Sequence, residues 1–207
     1  QPSLMLDVSK ILQAWQTSRP QRTCGCSSTP FHSSCVPGMP AHVYLKRILG
    51  CLPTPDNDSV ALLCWIYALR VHAVAEPGFL NMLTIHRPLA TCAWLGIKYL
   101  CDDHPPMRAF CQLAGLRPKE LCSLEHVLLV CLGWRLDVCL QEWHAEQDWL
   151  NALHDPAIGA VRLECPQRLK RPLEYRDCTL LVLLVVLLAS PLTHRKFFAR
   201  SLLSVSP

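Results

Sequence analysis

Residues 89–103 read LATCAWLGIKYLCDD, and the fold turns on this stretch. From Pro88 to Cys101 only Thr91 and Lys98 are polar, and a helix without a polar face must be surrounded by other helices. That makes it the central element of a helical domain. Lys98 is then the anomaly, because a lysine ammonium is almost never buried without a partner. Its amine can run past the helix end into water, pair with Asp102 one turn on, or pair with an acid such as Glu125.

Outward from this segment, apolar residues recur at helical spacing and the ends carry stop signals. Residues 40–52 place Val43, Leu45, Ile48, Leu49 and Leu52 at such positions before Pro53-Thr54-Pro55. A second helix runs from an N-cap at Asp58 to just before Glu76-Pro77-Gly78, and the third starts between Thr84 and Arg87. A short fourth lies at 105–113, and a fifth starts at Arg117-Pro118 and ends at Gly133. The fifth, ELCSLEHVLLVCLGW, also reads as buried, with Glu125 as its isolated acid. Upstream, Leu4, Val8, Ile11, Leu12 and Trp15 share one face of an amphipathic helix over 4–17, and the Pro/Ser/Cys-rich segment 18–40 reads as a linker. No strand pattern interrupts the five helices, and the fold class is all-α. The organisation is a lead-in over 1–38, a helical domain over 39–150 and a divergent tail over 151–207.

The chain has 207 residues, 51% of them hydrophobic, and a net charge of +4. Residues 1–150 hold twelve Lys/Arg and twelve Asp/Glu, and residues 151–207 eight and four, so the whole excess is in the tail. A neutral body argues against a nucleic-acid domain, which carries its own basic face. The thirteen cysteines are odd in number. Six of them (Cys64, Cys92, Cys111, Cys122, Cys131, Cys139) fall in helical apolar patterns, where cysteine acts as a small hydrophobe. With no signal-peptide pattern in QPSLMLDVSK, this points to a reducing compartment, cytoplasm or nucleus.

Other chemistries leave weaker marks. Cys24, Cys26, His32 and Cys35 are ligands that zinc accepts, but in no finger-like spacing, and no metal site is expected. No G-x-S-x-G, HExxH, P-loop or paired-carboxylate motif appears, so no catalytic residues are assigned and an enzyme is not expected. Leu180–Ala189 is unbroken apolar sequence with Arg171 and Arg176 before it and Arg195, Lys196 and Arg200 after it. Ten residues are half of the roughly 20 that span a bilayer. Membrane contact through 180–200 would be interfacial association, but an extra helix packed on the domain, or an unfolded extension, is the favoured reading.

YLKRIL, the helix ending IYALR, LTIHRPLATCAWLGIKYLCDD and CQLAGLRPKELCSLEHVLLVCLGWRLDV together resemble the cyclin box, specifically the phosphate-response and plant U-type (P/U) cyclins. That group runs roughly YLxRI, YLDR, LxxHRLLLxxxxxAxKFxDD and VGGxxxxELxxLExxFLxxLxFxL, after an F-H-x(4)-P-x-I lead-in similar to PFHSSCVPGMPAHVYLKRI here. The resemblance covers residues 4–150 and implies a single five-helix cyclin box with an N-terminal helix. It also implies a regulatory subunit that binds and activates a cyclin-dependent protein kinase, with no cofactor. The alternative is a divergent cyclin-fold adaptor without kinase activation, membrane-associated through the tail. By resemblance, Lys98 and Glu125 contact the kinase's mobile αC-helix region, with His126 beside the glutamate and flanking contacts on Leu95, Tyr99, Leu129, Trp134 and Leu136. For Leu95 and Leu129 ordinary core is an equally good reading. Departures are also visible. Leu69 replaces the acid before Arg70, leaving that arginine solvated or differently paired; Pro88 replaces a leucine and should delay helix 3; Ala114 replaces a glycine. The substrate-recruiting MRAIL patch is absent from helix 1.

Overall fold

The computed structural model describes residues 29–51, 56–75 and 83–152. Internal contacts divide the chain into Gln1–Arg171 and Pro172–Pro207, and every described residue lies in the first unit. The expected helix at 4–17, Cys24 and Cys26, the turn at Pro53-Thr54-Pro55, and the whole tail after residue 152, Leu180–Ala189 included, lie outside the described residues. Among the described residues no helix is long and apolar enough to cross a membrane.

Six helices and no strands make up the described structure: α1 (Ala41–Gly50), α2 (Asn57–Val74), α3 (His86–Leu100), α4 (Met107–Ala114), α5 (Pro118–Cys131) and α6 (Leu140–Ala152). The first five correspond to the helices expected from the sequence. α6 was not expected. It follows a loop whose one glycine, Gly133, closes α5 and marks no new helix start, and its own pattern buries only Leu150.

The core is the packing of α2 against α3, with α1 and α5 also against α3. On α3 every residue from Pro88 to Ile97 is buried, as the unbroken apolar run requires. Thr91 is satisfied locally, its hydroxyl donating to the Arg87 carbonyl at 2.8 Å. The second fully enclosed helix is α2, buried without a break from Val60 to Leu69. α5 is not: Leu121, Leu124, Val127, Leu128 and Val130 form one buried stripe, while Cys122, Ser123 and His126 face outward. Glu125 therefore stands at the border of a stripe, not inside an apolar helix.

Local chemistry sets the ends. The cap of α2 is Asp56, two residues earlier than expected; its carboxylate accepts from the backbone N–H of Asp58 and Ser59 at 3.1 Å and from the Ser59 hydroxyl. Those bonds, the Ser59 hydroxyl first, hold the Asp56 pKa below its ordinary value. α3 starts at His86, so Pro88 does not delay it; within the first turn a proline loses no intrahelical bond. At the α4 end Gly115 takes the left-handed φ of 65°, and the Tyr44 hydroxyl of α1 donates to the Ala114 carbonyl at 2.7 Å.

The segment before α1 is docked rather than a free linker. Phe31 is buried, the Ser33 N–H donates to Leu83 O at 2.8 Å, and His86 Nε2 donates to the Met39 carbonyl at 2.6 Å. Arg87 bonds the carbonyls of Pro30 and His32 and pairs with Glu120 of α5 at 2.7 Å. The Thr29 backbone N–H donates to His32 Nδ1 at 3.1 Å, and Cys35 is an exposed free thiol. No disulfide joins the described cysteines to one another. Cys64, Cys92 and Cys111 are buried as expected of small hydrophobes, and burial raises the Cys64 thiol to about 12; Cys122 and Cys139, by contrast, are exposed.

Gly96 of α3 faces Val60 and Leu63 of α2. A methyl group there would meet Leu63 Cβ and the Val60 carbonyl at 3.5 Å, ordinary contact distance. Gly96→Ala is expected to leave stability unchanged or raise it by up to about 1 kcal/mol through helix propensity, whereas Gly96→Leu should cost about 1–3 kcal/mol by overpacking. Urea denaturation of both variants measures the difference.

Candidate functional site

The helix α3 carries Trp94 and Lys98 one turn apart, and α5 brings Glu125 between them. Trp94 is buried, with its ring against Phe110 at 4.9 Å and His104 at 5.7 Å. Its indole N–H needs an acceptor, and Glu125 Oε2 supplies one at 3.1 Å. The other carboxylate oxygen takes the Lys98 ammonium at 2.5 Å, and that ammonium also lies 5.9 Å from the Trp94 ring centroid. The two charges are thus not solitary; each is the other's partner, and Asp102 plays no part in the pair. The pair has an outlet, because the Lys98 side chain is 38% exposed and that of Glu125 13%. An ammonium has three N–H donors, so Lys98 retains donors for a second acceptor.

An uncovered rim adjoins the pair. Tyr99 is 49% exposed and Trp134 61%. His126, exposed on α5, meets the Trp134 ring edge-on at a centroid distance of 6.0 Å. Leu129 and Leu136 are half-buried. Leu95 is 2% exposed and lies among the core residues.

Trp134 owes its display to the end of α5. Gly133 has φ 60° and donates to Val130 O at 3.0 Å, and Trp134 donates to Leu129 O at 2.8 Å, the paired bonds of a Schellman motif. Trp134 itself has φ 59°, a left-handed conformation that a bulky residue adopts at a cost of about 1–3 kcal/mol. Such a residue persists only where its surroundings hold it, and the next three carbonyls are all held. Arg70 donates to Arg135 O and Asp137 O, each at 2.9 Å, and the Tyr67 hydroxyl to Leu136 O at 2.9 Å. Burial raises the Tyr67 pKa, so this hydroxyl stays a donor at any physiological pH. Arg70 also forks onto Glu142 of α6 at 3.1 and 2.7 Å, which settles its pairing in the absence of an acid at Leu69. Neither Tyr67 nor Glu142 carries a local signal in the sequence. Arg70 stands out in the sequence only for the missing acid beside it.

Among the described residues no group of three or more His, Cys, Asp or Glu side chains is arranged to hold a metal ion.

The family model described as Cyclin matches residues 9–136. The chain is similar to the "Nuc-1 negative regulatory protein preg" of Neurospora crassa, 32% identical over 111 residues that cover 52% of this chain and 22% of that protein. It is also similar to Cyclin-U2-2 of Arabidopsis thaliana, 28% identical over 120 residues (58% of this chain, 51% of that protein). Similarity to Cyclin-U1-1 of Arabidopsis thaliana is 30% over 115 residues, 55% of this chain and 53% of that protein. The matched region thus spans about half the length of the plant relatives and about a fifth of the fungal one.

The double bond on Glu125 makes a testable distinction. Glu125→Ala strands the buried Trp94 N–H and should lower stability by about 1–3 kcal/mol. Glu125→Gln keeps a carbonyl acceptor for the indole and should lie within about 1 kcal/mol of the original chain. Chemical denaturation followed by tryptophan fluorescence reads both.

Proposed function

We infer the function from one premise: this chain belongs to the cyclin family. We propose that it is the regulatory subunit of a cyclin-dependent protein kinase, binding the kinase through the edge where α3 meets α5. The observation that carries this reading is the Lys98–Glu125 pair, held by Trp94 yet open to solvent on the lysine side.

The pair is suited to a peptide-like partner. Lys98 offers charge-assisted donors to carbonyl or carboxylate oxygens, and Glu125 fixes where that ammonium sits, so little side-chain freedom is lost on binding. Tyr99 and Trp134 flank it as large amphipathic rings, the residue types that anchor interfaces. With Leu95 in the core, the working surface is Lys98, Tyr99, Glu125, His126, Leu129, Trp134 and Leu136.

Activation then follows from population shift. A protein kinase is active when the glutamate of its αC helix pairs with the phosphate-binding lysine, and a rigid surface that binds only that arrangement favours it. The chain supplies the surface and no reacting group. The backbone bonds around Trp134 and the i, i+4 grip of Trp94 and Lys98 on Glu125 provide the rigidity.

Lys98→Met with Glu125→Gln removes both charges while keeping the Trp94 bond. Pull-down of a cyclin-dependent kinase by this double variant is expected to fall roughly thirtyfold relative to the original chain, about 2 kcal/mol, with an unchanged unfolding midpoint. Phosphotransfer to a histone-type substrate by the recovered kinase should fall in parallel. Undiminished kinase recovery would refute the assignment of this edge.

A further inference from the structure

The family match ends at residue 136, and α6 begins at Leu140. This helix is nevertheless tied closely to the domain. Trp65 of α2 donates to Glu146 at 3.1 Å and stacks on Trp149 with ring centroids 5.7 Å apart, and Leu150 is buried. Arg70, further along α2, meets Glu142 through two nitrogens. The same guanidinium bonds the carbonyls of Arg135 and Asp137, on either side of the Leu136 carbonyl held by Tyr67.

We propose that α6 is a positioning element for the kinase-binding edge, acting through Arg70: Glu142 aims the guanidinium, and the guanidinium holds the 135–137 backbone so that Trp134 stays displayed in its left-handed conformation. This rests on the kinase-binding reading above. Arg70 and Glu142 are positioning residues and do not themselves belong to the binding surface.

The chemistry of the fork supports the assignment. Arginine presents several N–H donors in one rigid plane, and here Nε, Nη1 and Nη2 are each used, on one carboxylate and two carbonyls. A lysine at 70 keeps the charge but has a single nitrogen, which cannot span those acceptors. Tyr67 and Arg70 are three residues apart on α2 and so share a face, which is why one helix reaches three consecutive carbonyls. Leu69 is buried beside Arg70 and offers no carboxylate, so the acid comes from α6. Without Glu142 the guanidinium loses its orienting partner. The loop then loses two of its three carbonyl anchors, and the strain at Trp134 is free to relax by turning the ring away.

The test uses the 207-residue chain and the variants Arg70→Lys and Glu142→Ala, labelled with 5-fluorotryptophan, with the Trp134 fluorine resonance assigned through Trp134→Phe. The Trp134 resonance is expected to shift or broaden in both variants. Kinase affinity should fall on the order of tenfold, within the usual range of coupling between sites. In a Trp134→Ala background neither variant should weaken binding much further, since the group being positioned is gone. Glu142→Gln retains an acceptor for the guanidinium, should show a smaller effect in the same direction, and serves as the probe where the alanine variant does not fold. An unmoved Trp134 resonance in the variants would overturn the proposal, as would affinity losses that multiply with that of Trp134→Ala. Absence of kinase binding by the original chain would instead contradict the functional reading, and the fluorine resonance would still decide the positioning role.

Discussion

The hydrogen bond from the buried Trp94 indole to Glu125 is the constraint on which the binding edge depends. An indole N–H sealed in a core requires an acceptor, and a neutral carbonyl would have ended the matter there. The acceptor is instead a carboxylate from α5, which must then be neutralised, and the cation comes from the helix that carries the indole, four residues on. The result is a polar chain from the core to the surface. It fixes the angle at which α5 meets α3, and it leaves an ammonium with unused donors beside exposed aromatic rings.

Two arginines repeat one device. Arg87, at the start of α3, pairs with Glu120 of α5 and bonds the carbonyls of Pro30 and His32. Arg70, near the end of α2, pairs with Glu142 of α6 and bonds the carbonyls of Arg135 and Asp137. In each case a loop is held by a planar fork whose charge is balanced by a helix arriving later in the chain. Neither side chain is fully exposed, so these bonds are sheltered from competition by water. Apolar burial between α2 and α3 builds the domain, and the arginines fix the loops on its surface.

Most of the helical framework was legible because its signals are local. An unbroken apolar run defined α3, Pro118 and Gly133 bracketed α5, and Lys98 and Glu125 stood out as charges on apolar helices. What escaped the sequence is what depends on long-range partners. LQEWHAEQDWLNA has no clear apolar stripe, because α6 docks through Trp149, Glu146 and Glu142 onto Trp65 and Arg70, contacts that no periodicity reveals. Two acids competed for the α2 cap, and Asp56 won because only from there does the carboxylate reach two N–H groups and the Ser59 hydroxyl. The 18–40 segment reads as a linker, and the docking of its end rests on Arg87, more than fifty residues away, which bonds the Pro30 and His32 carbonyls. Leu95 and Tyr99, one turn apart on α3, have opposite fates, core and rim, because the end of α3 runs out from under its neighbours.

The central claim is that the α3–α5 edge, rather than the outward face of α1, meets the kinase. Hydrogen–deuterium exchange of the full chain, alone and with a purified cyclin-dependent kinase, tests it most directly. The account predicts new protection on complex formation in the peptides spanning 95–101, 122–129 and 132–137, with residues 41–50 unchanged. Protection confined to 41–50, with the α3–α5 edge exchanging as in the free chain, would contradict it.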